Sequence, residues 1–261
     1  MSEDQPMSFL EHLEELRWRL LRAAIAVIVF ASVIWVYQRE IMEGVFLNMV
    51  DPNFVSFRLL CEYLGVCVEQ INVDFQSTTL SGQFSYALMM SIMGGVVLAF
   101  PYIFYQLWAF VKPGLKFQEK KMARGIVFYV SLLFFLGILF GYYVVAPLSV
   151  QFFGAFQITP DIKTDVTIAS YMSTVLSTVF YTGLFFLFPI VTFLLVKIGL
   201  FTPEFLIKYR KHAIVVILIL AAVITPPDVI SQVIVTIPIY LLFEVSILVA
   251  KRVSKQEEEE K

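Results

Sequence analysis

The chain has 261 residues, of which 59% are hydrophobic and only 15% charged, with a net charge of −2. Soluble domains carry about 25% charged and about 45–50% apolar residues, so an ordinary soluble domain is excluded. The near-neutral balance gives no reason to expect nucleic acid as a partner. The charges are clustered and leave long stretches with none, which predicts an all-α integral membrane protein.

Residues 1–19 are expected to form a cytoplasmic amphipathic helix. Ser8 followed by Glu11 fits a capping box, placing the helix start at Phe9. Phe9, Leu13, Leu16 and Leu20 recur at helical spacing and give one apolar face. Glu14 and Glu15 lie within i,i+4 reach of Arg17 and Arg19, so their bland reading is surface pairing. The first apolar run opens near Leu20, behind this acidic helix and without a small-residue cleavage site. It is therefore expected to be a span and not a cleavable leader.

Six spans are predicted, at about 20–37, 84–105, 125–146, 168–196, 213–224 and 229–250, together forming a domain over 20–250. The fourth is over-long and contains Pro189, which predicts a kink. Ala213–Ile224 is only twelve residues, or about 18 Å of helix at 1.5 Å per residue. It runs straight into "TPPD" and the sixth segment, so the last two spans read as a short helical hairpin with a submerged tip. The tail 251–261, ending in "KQEEEEK", is expected to be disordered and solvated.

Basic residues set the orientation. Sixteen lysines and arginines fall on the two termini and the 106–124 and 197–212 loops, against three on the opposite side (Arg39, Arg58 and Lys163). Both termini are thus expected in the cytoplasm. The external loop 38–83 mixes Glu40, Glu43 and Asp51 with Phe46, Leu47, Phe54 and Phe57, which suggests short amphipathic helices. A second external loop is expected at 147–167. Cys61 and Cys67 both lie in the first; a disulfide and two free, buried thiols are each compatible with the sequence.

Residues that carry chemistry are scarce. The two histidines, His12 and His212, stand in different segments, and no zinc spacing, phosphate loop or nucleophile–base pair is visible. No metal or cofactor is expected, and an enzyme has almost nothing to stand on. Glu244, about four turns into the sixth span, is the one acid expected within the membrane. Such a group marks an ion or proton pathway when it is functional, so a proton-coupled small-solute transporter is the alternative reading. Thr167, Ser170, Thr174, Ser177 and Tyr181 form a hydroxyl stripe on the fourth span, for which interhelical packing is the ordinary explanation. Thr225 and Gln232 flank the "TPPD" tip and either hydrogen-bond within the hairpin or meet a partner helix.

Several stretches together resemble the TatC family, the multispanning subunit of the twin-arginine (Tat) protein translocase. They are "HLEELRWRLL", "FPYIFYQLWAFVKPGL" followed by "EKK", "TDVTIASY", "ITPPDVISQ" and "IPIYLLFE". They span residues 8–250 in the family's order. The resemblance implies a six-span, multi-pass protein of the inner (cytoplasmic) membrane that is not an enzyme and has no cofactor. It implies binding of twin-arginine signal peptides on folded precursor proteins, recruitment of TatA/TatB-like single-span subunits and association with other TatC copies in the lipid bilayer. Transport would be driven by the protonmotive force. The family's arginine-recognising glutamates correspond to Glu15 and Glu119, and its polar contact for the single-span partners to Thr225 and Gln232. Many relatives carry a glutamate in the fourth span just before a proline; here "FFLFP" places Leu187 there, so that role does not transfer.

The resemblance explains why a charged helix adjoins a span. A guanidinium is a planar fork of donors that matches a carboxylate, so two arginines ask for two separated carboxylates at a cytoplasmic surface. Placing them at the membrane edge lets the apolar part of an incoming peptide enter lipid.

Overall fold

The computed structural model describes residues 9–51, 53–64, 75–111, 125–156, 158–159, 166–197, 201–225 and 229–259. Among them the fold is helical, and five helices are long and apolar enough to cross a membrane. The chain divides into two compact units, residues 1–38 with 87–132, and residues 39–86 with 133–261.

In the first unit α1 (Phe9–Val36) is unbroken; Ser8, the expected cap, lies outside the described residues. It packs against α4 (Gly82–Val111), whose glycines permit close approach. A Cβ at Gly95 would lie 2.8 Å from the backbone nitrogen of Ala31 and 2.9 Å from the carbonyl of Val27. One at Gly94 would meet Ile34 Cδ1 at 2.6 Å. At the other end of the same pair, the His12 and Phe110 rings stack with centroids 4.1 Å apart. Residue numbers fall on one helix as they rise on the other, so the pair is antiparallel.

The second unit begins with α2 (Gln38–Ile41), a π-turn over Met42–Phe46, a 3₁₀ turn over Leu47–Val50, and α3 (Val55–Leu64). These are the short helices expected of the 38–83 loop. Tyr142 donates to the carbonyl of Val45 at 2.7 Å, and Tyr171 donates to that of Phe46. The Ile168 N–H donates to the Gln76 carbonyl at 3.0 Å, which ties the end of the loop down as well. Cys61 is disulfide-bonded; Cys67 lies outside the described residues.

The third span outruns its expected end at 146. Helix α5 (Ile126–Phe140) passes through a π-turn at Gly141–Val145 into α6 (Ala146–Ala155), taking up the first nine residues of the expected 147–167 loop. Pro147 does not stop it: the carbonyl four residues back, that of Tyr143, accepts instead from the Ser56 hydroxyl. Gly137 and Gly141 give this helix a bare face. A Cβ on either would come within 2.9 Å of the backbone of Gly183 or Val179, respectively, on α7 (Ile168–Phe185). Lipid offers no hydrophobic drive between helices, so such close approach supplies the dispersion contact that holds them.

The expected kink is a break. Helix α7 ends at Phe185, residues 186–187 turn, and α8 (Phe188–Lys197) restarts with Pro189 in its second position. A proline there costs nothing, whereas in a continuous helix it would orphan the carbonyl four residues back. Helix α9 (Pro203–Lys208) is capped by Thr202, which accepts from the Phe205 N–H at 3.2 Å. Helix α10 (Arg210–Ile224) has 15 residues, three more than its apolar core, and at about 22 Å remains short for a span. Helix α11 (Val229–Glu259) closes the chain. Val235, Ile239, Phe243, Ile247 and Ala250 on one face of α11 pack with Val196, Leu206, Ile217 and Ala221 into the unit's core.

The helix continues through Glu259. Lys, Gln and Glu are good helix formers, and no glycine or proline follows Pro238 to end it.

Candidate functional site

Glu15 lies two turns into α1, and its two oxygens differ. Arg19, one turn on, donates to Oε1 from Nε at 2.9 Å and from Nη2 at 2.5 Å. This is the i,i+4 pair anticipated from the spacing. Oε2 is buried and accepts no hydrogen bond. His12 Nδ1 is 4.0 Å from it, beyond hydrogen-bonding range. The companion pair expected between Glu14 and Arg17 is absent from the ion pairs of the described residues. Glu119 lies outside the described residues.

Near this end of the unit, α4 carries two further groups that sequence reasoning passed over. Gln106 is only 4% exposed, and its Oε1 has no hydrogen-bond partner. The Nε1 of Trp108, two residues on and so on a different face, is likewise buried and unpartnered. Native structures satisfy the large majority of buried polar side-chain atoms. The sequence signal was present: Gln106 is the sole amide within the aromatic run "PYIFYQLWAFV".

The second unit holds the other candidates. Thr225 caps α10 and donates to the Ala221 carbonyl at 2.8 Å. Gln232 Nε2 donates across the hairpin to the Leu218 carbonyl at 3.1 Å. Both therefore hydrogen-bond within the hairpin in the isolated chain. Residues 226–228, the centre of the "TPPD" tip, lie outside the described residues.

Glu244 is not a solitary acid. Arg210 Nη2 donates to its Oε2 at 2.8 Å, and the Tyr240 hydroxyl donates to its Oε1 at 2.9 Å. Arg210 opens α10, so Glu244 is level with the basic end of that helix and not deep along its apolar stretch. Both oxygens of this carboxylate are therefore engaged within the chain. Arg210 was counted from the sequence only as a topogenic charge; its partner stands 34 residues away.

Three hydroxyls of the stripe, those of Thr167, Ser170 and Ser177, bond within their own helix. Thr167 caps α7 by accepting from the Ser170 N–H, and Ser177 donates to the Ser173 carbonyl at 2.6 Å. The buried hydroxyls are Thr178 and Thr182, on the face turned toward Gly141. Leu187 falls in the turn between α7 and α8, its N–H donating to the Leu184 carbonyl at 3.0 Å. Among the described residues no group of acids, histidines and cysteines could hold a metal ion.

Comparison with known proteins places these residues in context. A family model described as "Sec-independent protein translocase protein (TatC)" matches residues 11–238. A Sec-independent protein translocase protein TatC from a Blattabacterium strain is 35% identical, over 98% of this chain and 99% of its own. The protein of that name from Carboxydothermus hydrogenoformans is 34% identical, over 98% and 97%. A crystal structure titled as the twin arginine translocase receptor TatC superposes with a TM-score of 0.69 at 31% identity, covering 93% of this chain and 99% of that one.

Proposed function

Because the chain belongs to the TatC family of Sec-independent protein translocase proteins, a transport component and not an enzyme, we propose that it is the signal-peptide receptor of a twin-arginine translocase. On this reading it is a six-span, multi-pass protein of the inner membrane with both termini in the cytoplasm. The sixteen-to-three split of basic residues supports that orientation. The amphipathic start of α1 and the loop holding Glu119 then face the incoming cargo.

The observation that carries the reading is the state of Glu15: one oxygen held by Arg19, the other buried, unpartnered and free to accept. Glu119, in the 112–124 segment, supplies the second carboxylate for a pair of arginines. Each charge-assisted hydrogen bond contributes roughly 1.5–3 kcal/mol, enough to select a peptide and weak enough to release it. Thr225 and Gln232 are assigned to contact with TatA/TatB-like single-span subunits, which would exchange the hydrogen bonds now made inside the hairpin for contacts with a partner helix. The protonmotive force would drive the transport step. The proton-coupled solute transporter is disfavoured by the Arg210 and Tyr240 hydrogen bonds that occupy both oxygens of Glu244.

The test is site-directed crosslinking of a twin-arginine signal peptide to single cysteines or photoprobes scanned along 8–20 and 106–124. Adducts clustering next to Glu15 and Glu119, and lost when the peptide's arginines become lysines, are the expected result. Adducts confined to the 38–83 loop would contradict the reading.

A further inference from the structure

We propose that Gln106 is a second acceptor of the arginine site: its side-chain carbonyl and the free Oε2 of Glu15 together receive one guanidinium. This rests on the arginine-recognition reading above and extends it to a residue on the neighbouring helix.

The register of α1 on α4 brings the two groups to one level. The His12–Phe110 stack fixes one point of contact, and Gly95 against Val27 and Ala31 fixes another. From the stack, three residues along α1 reach Glu15, and four residues back along α4 reach Gln106. Because the helices are antiparallel, both steps go the same way, by about 4.5 Å and about 6 Å at 1.5 Å per residue. The face agrees as well. Gln106 is eleven residues after Gly95, about three turns of 3.6 residues, so it shares the side of α4 that meets α1.

Burial and chemistry point to a ligand. Gln106 is 4% exposed with an orphaned carbonyl, and Glu15 Oε2 is likewise buried and orphaned. A buried acceptor left unmade costs about 1–3 kcal/mol, a cost an arriving donor removes. A guanidinium presents five N–H donors in a rigid plane and can serve acceptors on two residues at once. An ammonium is a compact point charge that suits them less well. Arg19 remains on Oε1 and holds the carboxylate in place. A neutral amide adds an acceptor without adding charge, so it contributes to telling arginine from lysine more than to general attraction for cations. Sites built to hydrogen-bond a group reject analogues that leave their polar atoms unpaired.

The test uses the full chain, purified in detergent, and a labelled peptide carrying consecutive arginines or, in its counterpart, consecutive lysines. Gln106→Met keeps the length and removes the carbonyl. Affinity for the arginine peptide is expected to fall about tenfold and that for the lysine peptide to change little, so the preference narrows. Combining it with Glu15→Gln should give less than the product of the single losses. Gln106→Asn keeps the amide but withdraws it by one methylene, and the same narrowing is expected; it decides the matter if the Met variant does not fold. Equal losses for both peptides, or an undiminished arginine preference, would overturn the role of Gln106. If the unaltered chain shows no preference for arginine, the arginine-recognition reading falls and this inference with it.

Discussion

The two described acid–arginine pairs that bear on function are built differently. Glu15 and Arg19 are one turn apart on a single helix, and the pair leaves Oε2 buried and empty. Glu244 and Arg210 are 34 residues apart on two helices of the hairpin, and Tyr240 takes the remaining oxygen. The first is half satisfied and open to a donor from outside. The second is closed and fastens the start of α10 to α11. An acid's residue type and its nearness to lipid do not reveal which kind it is; the tally of acceptors already used does.

The largest expected effect tests the open pair. Glu15→Gln should weaken twin-arginine peptide binding by roughly 1–3 kcal/mol, and Glu119→Gln by a similar amount. Lysine-for-arginine replacement in the peptide should then cost less than it does on the unaltered chain. Titration calorimetry or fluorescence anisotropy reads both, with Glu14→Gln as the control. A Glu14 change as damaging as the Glu15 change would remove the distinction between the two acids.

Next in size is the loss of the closed pair's cation. Arg210→Met leaves Glu244 with only Tyr240. Because both side chains are partly exposed, at 41% and 29%, the cost should be about 1–2 kcal/mol, below that of breaking a fully buried pair. Thermal unfolding in detergent should show it while peptide affinity stays unchanged. Glu244→Gln should cost less, under about 1 kcal/mol, since an amide oxygen can still accept one of the two hydrogen bonds. It should spare peptide binding and slow transport in reconstituted membranes. Peptide binding lost as fully as in Glu119→Gln would merge the two regions into one site.

The smallest effect sharpens the comparison from the other side. Arg19→Ala removes an i,i+4 pair of a kind that contributes only about 0.2–0.5 kcal/mol to helix stability. The unfolding midpoint should barely move. A large drop would mean that the open pair is structural after all.

What could be read from the sequence was local. The interruption ahead of Pro189 and the short α10 each depend on a few neighbouring residues. Glu15 could be singled out because the motif around it is contiguous. What was not legible depends on register between helices. Arg210 meets Glu244 only once the way α10 and α11 pass each other is set. Gln106 looks like one more polar residue until its level on α1 is known. The continuation of α5 past 146 was hidden because a π-turn preserves helical bonding while changing its period. Helix α11 runs on because nothing in its charged end forbids it.

The glycine seams imply an uneven tolerance of mutation along the sequence. At Gly95, Gly137 and Gly141 even a methyl group would collide with neighbouring backbone, so ordinary drift there is closed. Ile25, Ile28, Val29 and Val33 on α1 are exposed and apolar; in a bilayer they can exchange among Leu, Ile, Val and Phe at little cost. A library of random variants selected for transport should therefore accumulate changes along the outer faces and almost none in the seams. Seam positions would keep their residues not through any contact with cargo but because two helices need to touch there.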